Sequence, residues 1–150
     1  MNTKEMPVSI IIPTYNEAAN IQHLVNYLQQ YSPEATTEII VVNACKTTDD
    51  TASIAQSAGA RVYECKDCCR AAQMNLGAAN AQFEILYFVH ADVLPPPSFQ
   101  RDIQQAFQEG NVFGWFSFKF DSSSKWLKIN ARYTRGDGIF AGGGGSNTFY

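Results

Sequence analysis

The feature that most constrains this chain is a repeated alternation of short apolar runs with amphipathic stretches. VSIII (8–12) is a continuous apolar run closed by Pro13, as a strand buried on both faces would be. EIIVV (38–42), ARVYE (60–64) and EILYFV (84–89) read as three more strands. Between the first two, Ile21, Leu24, Val25, Leu28 and Tyr31 fall on one face of a helix, with Asn16 or Asn20 as its cap. TDDTASIAQSAG (48–59) predicts a second helix, capped by Thr48, with acids in its first turn and Gly59 as its stop. RAAQMNLGAANA (70–81) predicts a helix of small residues suited to lying close on a sheet. Phe99, Ile103, Ala106 and Phe107 mark a fourth. Strand–helix alternation of this kind predicts an α/β fold: a mostly parallel sheet, right-handed crossovers and helices on both faces.

The pattern then changes. In VFGWFSFKFD (112–121), Phe116, Phe118 and Phe120 alternate with Ser117, Lys119 and Asp121, which predicts a half-exposed strand. KWLKINARYTR (125–135) has a helical pattern with Lys125, Lys128, Arg132 and Arg135 near one face, and the tail GIFAGGGGSNTFY is glycine-rich. Without repeats or a linker, residues 1–150 are expected to form a single domain. A 45% hydrophobic and 17% charged composition argues against disorder. A net charge of −3 disfavours non-specific nucleic-acid binding. No apolar run approaches the roughly 20 residues of a membrane span, and MNTKEMPVSIIIP does not read as a signal peptide. A cytoplasmic location is the expectation. Cys45, Cys65, Cys68 and Cys69 include one C-x-x-C spacing but no second pair, so reduced thiols are expected rather than a zinc site.

Ligands of open parallel sheets bind beyond the carboxyl ends of the strands. Three loops of unusual composition fall there: PTYNEAAN after the first strand, NACKTTDD after the second and HADVLPPP after the fourth.

SIIIPTYNEAANI, RAAQMNLGAANA and YFVHADVLPPP together resemble the inverting, nucleotide-sugar-dependent glycosyltransferases of family 2. The QMN and HAD elements look most like a bacterial subgroup. The resemblance covers roughly residues 7–149. It implies a GT-A type nucleotide-diphospho-sugar transferase fold with its C-terminal part truncated, since family members continue with further helices. It also implies direct transfer, with inversion, of a sugar from a nucleotide diphosphate donor to a hydroxyl acceptor.

By the same resemblance, Pro13, Thr14, Tyr15, Asn16 and Glu17 contact base and ribose, where a carboxylate such as Glu17 accepts two hydroxyl hydrogen bonds. Arg70, Gln73, Asn75 and Gly77 match the middle motif, and a guanidinium at Arg70 suits a phosphate or a base face. Family enzymes carry an Asp-x-Asp element where the central strand ends, holding a divalent cation against the diphosphate. Here His90 and Asp92 take those two positions, with Ala91 between them. One carboxylate with diphosphate oxygens and water suffices for Mg²⁺ or Mn²⁺; an imidazole suits Mn²⁺ better. The cation stabilises the leaving diphosphate, which makes Asp92 a catalytic residue as well as a metal ligand. The three prolines after it keep the segment extended and fix Asp92 at the mouth of the cleft.

The chain departs from the family at two places. Asn43 stands where an aspartate reads the base, and Ser146 and Asn147 stand where an acid faces the acceptor. Asp137 in RGDG is then the candidate general base. These departures motivate a second reading, a catalytically degenerate nucleotide-binding homologue or partner subunit. The basic stretch 125–135 suggests peripheral contact with the inner face of a membrane, and a homo-oligomer is a further expectation. A sugar nucleotidyltransferase is set aside, because PTYNEAAN is neither glycine-rich nor basic.

Overall fold

The computed structural model describes residues 6–67 and 69–116, together with the backbone of residues 148 and 149. Seven elements form the expected alternation: β1 (Val8–Thr14), α1 (Ile21–Gln30), β2 (Thr37–Ala44), α2 (Thr51–Ser57), β3 (Arg61–Cys65), α3 (Arg70–Ala79) and β4 (Ile85–Phe88). They precede α4 (Phe99–Gln108) and two short strands, β5 (Gly114–Trp115) and β6 (Thr148–Phe149). The strand order is β3-β2-β1-β4-β6-β5. The first four strands are parallel to one another, and β6 pairs antiparallel with both β4 and β5.

Because side chains alternate across a strand, β1 serves both faces of the sheet. Ile10 and Ile12 join Leu24, Leu28, Ala55, Phe99 and Ile103 in the larger core beneath α1, α2 and α4. Ile11 points the other way, with Ile40 and Val42, against Ala72 and Leu76 of α3. Burial on both sides explains why β1 and β2 read as unbroken apolar runs. Gly77 lets α3 come close: a Cβ there would lie 2.4 Å from Ile11 Cγ2 and 3.2 Å from Val42 Cγ2. Gly59 stops α2 as expected, with φ +96°. Its N–H donates to Gln56 O at 3.0 Å and that of Ala60 to Ala55 O at 3.1 Å, the paired closure of a Schellman motif.

Two local expectations are corrected. α2 begins at Thr51, not at Thr48, because Thr48 and Asp49 are drawn into bonds with the loop after β1. Cys45 is disulfide-bonded, whereas Cys65 and Cys69 are free thiols, so the expectation of uniformly reduced cysteines does not hold. Of the strand expected over 112–121, residues 114 and 115 pair, and residues 117–121 lie outside the described residues. The same is true of 125–135, Asp137, Ser146 and Asn147. Among the described residues, no helix is long and apolar enough to cross a membrane.

Candidate active site

The loops after β1 and β2 are stitched together. Asn16 adopts φ 52°, a left-handed conformation that asparagine tolerates better than most residues. Its Oδ1 accepts the Thr48 N–H at 2.8 Å. Glu17 N–H donates to Thr51 Oγ1 at 2.8 Å, and Ala18 N–H donates to Asp49 Oδ2 at 3.0 Å. The Thr51 hydroxyl, with the N–H groups of Ala18 and Thr51, holds the Asp49 carboxyl below the usual carboxylate range. Asn16 and Asp49 therefore fix one loop against the other. The expected role of Asn20 as a side-chain cap is not found: its amide donates instead to Glu17 Oε2 at 2.9 Å.

Beneath these loops the strand ends are pinned. Gln73 is 5% exposed and donates its amide to Thr14 O and to Val42 O, each at 2.8 Å. Asn43, also 5% exposed, accepts the hydroxyls of Thr14 at 3.1 Å and Thr47 at 2.8 Å. Its amide donates to the Glu64 carboxylate at 3.2 and 3.3 Å.

On the other side of β1, Val89 N–H donates to Ile11 O at 3.0 Å, extending the β4 pairing up to the HAD element. The chain then turns, closed by Val93 N–H to His90 O at 3.2 Å, which leaves Asp92 exposed. The proline run is itself anchored to α1, where Tyr27 donates its hydroxyl to Pro95 O at 2.7 Å.

These pieces enclose a cleft of about 350 Å³ beyond the carboxyl ends of β1, β2 and β4. Pro13, Thr14, Tyr15, Glu17, Arg70, Gln73, His90, Ala91 and Asp92, nine of the residues singled out from the sequence, line it. Asn16, Asn43 and Asn75 do not: the first two form the loop and strand-end bonds above, and Asn75 is exposed on α3. Ala44 and Lys46 also line the cleft and were not anticipated. The sign that pointed to them was the loop NACKTTDD itself, where a lysine lies three residues past Asn43.

Larger depressions of about 430 and 460 Å³ lie elsewhere. In the second, Arg61 is already neutralised by Glu38 at 2.5 Å. The smaller cleft is the better site because its carboxylates and cations converge without being consumed by one another.

Electrostatics within the cleft are specific. Burial, and next the Arg70 charge, push the His90 imidazole below its ordinary value, while Asp92 opposes them. Burial and Arg70 thus favour the neutral imidazole, the form that ligates metals. Together with the exposed Asp92 carboxylate it fits a divalent cation that takes the rest of its shell from a phosphate ligand and water. Among the described residues no group of three His, Cys, Asp or Glu could by itself hold a metal.

Comparison with known proteins agrees with this fold. The model of the family described as Glycosyl transferase family 2 matches residues 9–145. Among solved structures, residues 1–349 of TarS from S. aureus superpose with a TM-score of 0.62 at 26% identity, covering 69% of this chain and 33% of that one. The mannosyltransferase PcManGT from Pyrobaculum calidifontis, solved with GDP-Man and Mn²⁺, gives 0.62 at 24% identity over 69% of this chain and 33% of its own. Glucosyl-3-phosphoglycerate synthase from M. tuberculosis gives 0.59 at 23% identity over 71% and 42%. The chain thus spans well under half the length of these structures. A search of curated proteins found no match. The sheet is that of the GT-A nucleotide-diphospho-sugar transferases, and with the family model spanning most of its length, this chain belongs to glycosyl transferase family 2.

Proposed function

We propose that the cleft binds a nucleotide diphosphate sugar and a divalent cation, and that the chain transfers the sugar with inversion to a hydroxyl acceptor. The observation that carries this reading is the convergence of Glu17, Arg70, His90 and Asp92 on one cleft at the strand ends. The relatives solved with GDP-Man and Mn²⁺, or with UDP and either Mn²⁺ or Mg²⁺, support it.

Each residue has a chemical task. Tyr15, 56% exposed at the rim, offers a ring face to the base, and Glu17 accepts hydrogen bonds from ribose hydroxyls. Arg70 donates to the diphosphate. Asp92, assisted by neutral His90, would hold Mn²⁺ or Mg²⁺. Once bound, that ion supplies positive charge where the leaving diphosphate becomes more negative. Asp137 is proposed as the base that takes the acceptor proton. The basic stretch 125–135 is proposed to rest on an anionic membrane surface from which the acceptor is presented.

A donor-hydrolysis assay with UDP- and GDP-sugars in Mn²⁺ tests the proposal. Release of nucleoside diphosphate that disappears in Asp92→Ala is expected. Release that survives the substitution, or none from any donor, would overturn it.

A further inference from the structure

Resting on that reading, we infer that Lys46 is a second phosphate-binding cation of the donor site. It acts together with Arg70 and gives the chain affinity for a nucleoside diphosphate even without metal.

Lys46 and Arg70 line the same cleft from different elements, one from the loop after β2 and the other from the first residue of α3. Glu17 and Asp92 line it too. Yet the ion pairs among the described residues are Arg61–Glu38 and Arg101–Asp102, so neither cleft cation is neutralised by its neighbours. Two exposed cations that line one cleft without an ion pair among the described residues suit an anion with at least two negative charges, and a diphosphate is such a group.

The backbone on both sides of Lys46 is anchored. Cys45 is disulfide-bonded. Thr47 N–H donates to Ala44 O at 3.0 Å and its hydroxyl to Asn43 Oδ1 at 2.8 Å. Thr48 N–H is held by Asn16 at 2.8 Å. The flexible lysine stem therefore springs from a fixed point, which lowers the entropic cost of reaching a phosphate. A compact ammonium suits phosphate oxygens rather than the face of a base.

The test is calorimetric titration of UDP, GDP and uridine into the 150-residue chain, with Mn²⁺ or with EDTA, for wild type, Lys46→Ala and Lys46→Arg. Expected are measurable diphosphate affinity in EDTA, a roughly tenfold or greater weakening in Lys46→Ala, unchanged uridine binding, and recovery in Lys46→Arg. Wild-type diphosphate affinity in Lys46→Ala overturns the inference and leaves the donor-site reading intact. Equal weakening for uridine also overturns it, because Lys46 would then act only on loop structure. A wild-type chain that binds no nucleoside diphosphate under either condition overturns the donor-site reading itself.

Discussion

Gln73 donates its side-chain amide to the Thr14 carbonyl at 2.8 Å, so the helix after β3 is tied to the last residue of β1. The same nitrogen reaches Val42 O at 2.8 Å, which makes this one buried group a clasp across two strand ends. Gln73→Glu replaces the donor with an acceptor facing two carbonyls. The variant should lose roughly 1–3 kcal/mol of stability and bind nucleoside diphosphate more weakly. Urea unfolding and a UDP titration check this; unchanged values in both would show that the clasp has no consequence.

Asn43 stands where the resemblance leads one to expect an aspartate, and its contacts suit an amide. Its amide donates to Glu64, its register partner on β3. Asn43→Asp would set a second carboxylate against the first, so the new carboxyl should hold its proton above the ordinary aspartate range. Stability that depends on such a proton is present at low pH and lost as pH rises. The variant should be roughly 1–3 kcal/mol less stable than wild type at pH 7 and closer to it at pH 5. Unfolding at the two pH values decides the point; an equal loss at both contradicts the pairing.

His90 titrates below its ordinary 6.5 because of burial first and the Arg70 charge second, against the pull of Asp92. The unfolded chain therefore takes up this proton before the folded one does. The resulting stability is complete above the ordinary value and is lost as pH falls through the folded one. With two histidines in the sequence, NMR titration can follow each. The His90 midpoint should rise in Arg70→Ala and fall further in Asp92→Asn. Movement in the opposite directions would contradict the arrangement of charges.

Gly77 tests the contact between α3 and the sheet. Alanine there places a methyl group 2.4 Å from Ile11 Cγ2, so the intrinsic helix gain of about 1 kcal/mol over glycine should be outweighed by overpacking of about 1–3 kcal/mol. The melting temperature should fall. A rise would mean that α3 sits farther from β1.

Much of the fold was legible in the sequence because strands buried on both faces announce themselves. VSIII and EIIVV placed β1 and β2 within two residues of their ends, and Gly59 stopped α2 where its positive φ requires. The start of α2 was misplaced because, beyond the local bond from Thr51 N–H to Asp49, Thr48 and Asp49 are also held by Asn16 and Ala18 of the loop after β1. No local pattern carries that information. Within the site, Glu17, Gln73 and Asp92 reached the cleft from strand ends or the sheet-facing side of α3, whereas Asn16 and Asn43, also at strand ends, are taken up by bonds to Thr48, Thr14, Thr47 and Glu64. Asn75 missed because two helical positions past Gln73 is the opposite face. Lys46 belongs to no motif, and only its place in the folded cleft singles it out.

The central claim is that Asp92 joins the cleft to a nucleoside diphosphate through a divalent ion. Titration of UDP and GDP with and without Mn²⁺, on wild type and Asp92→Ala, tests it most directly. Mn²⁺ should tighten binding of at least one nucleotide in wild type, and that increment should vanish in Asp92→Ala. An increment that persists without the carboxylate, or that never appears, would contradict the account.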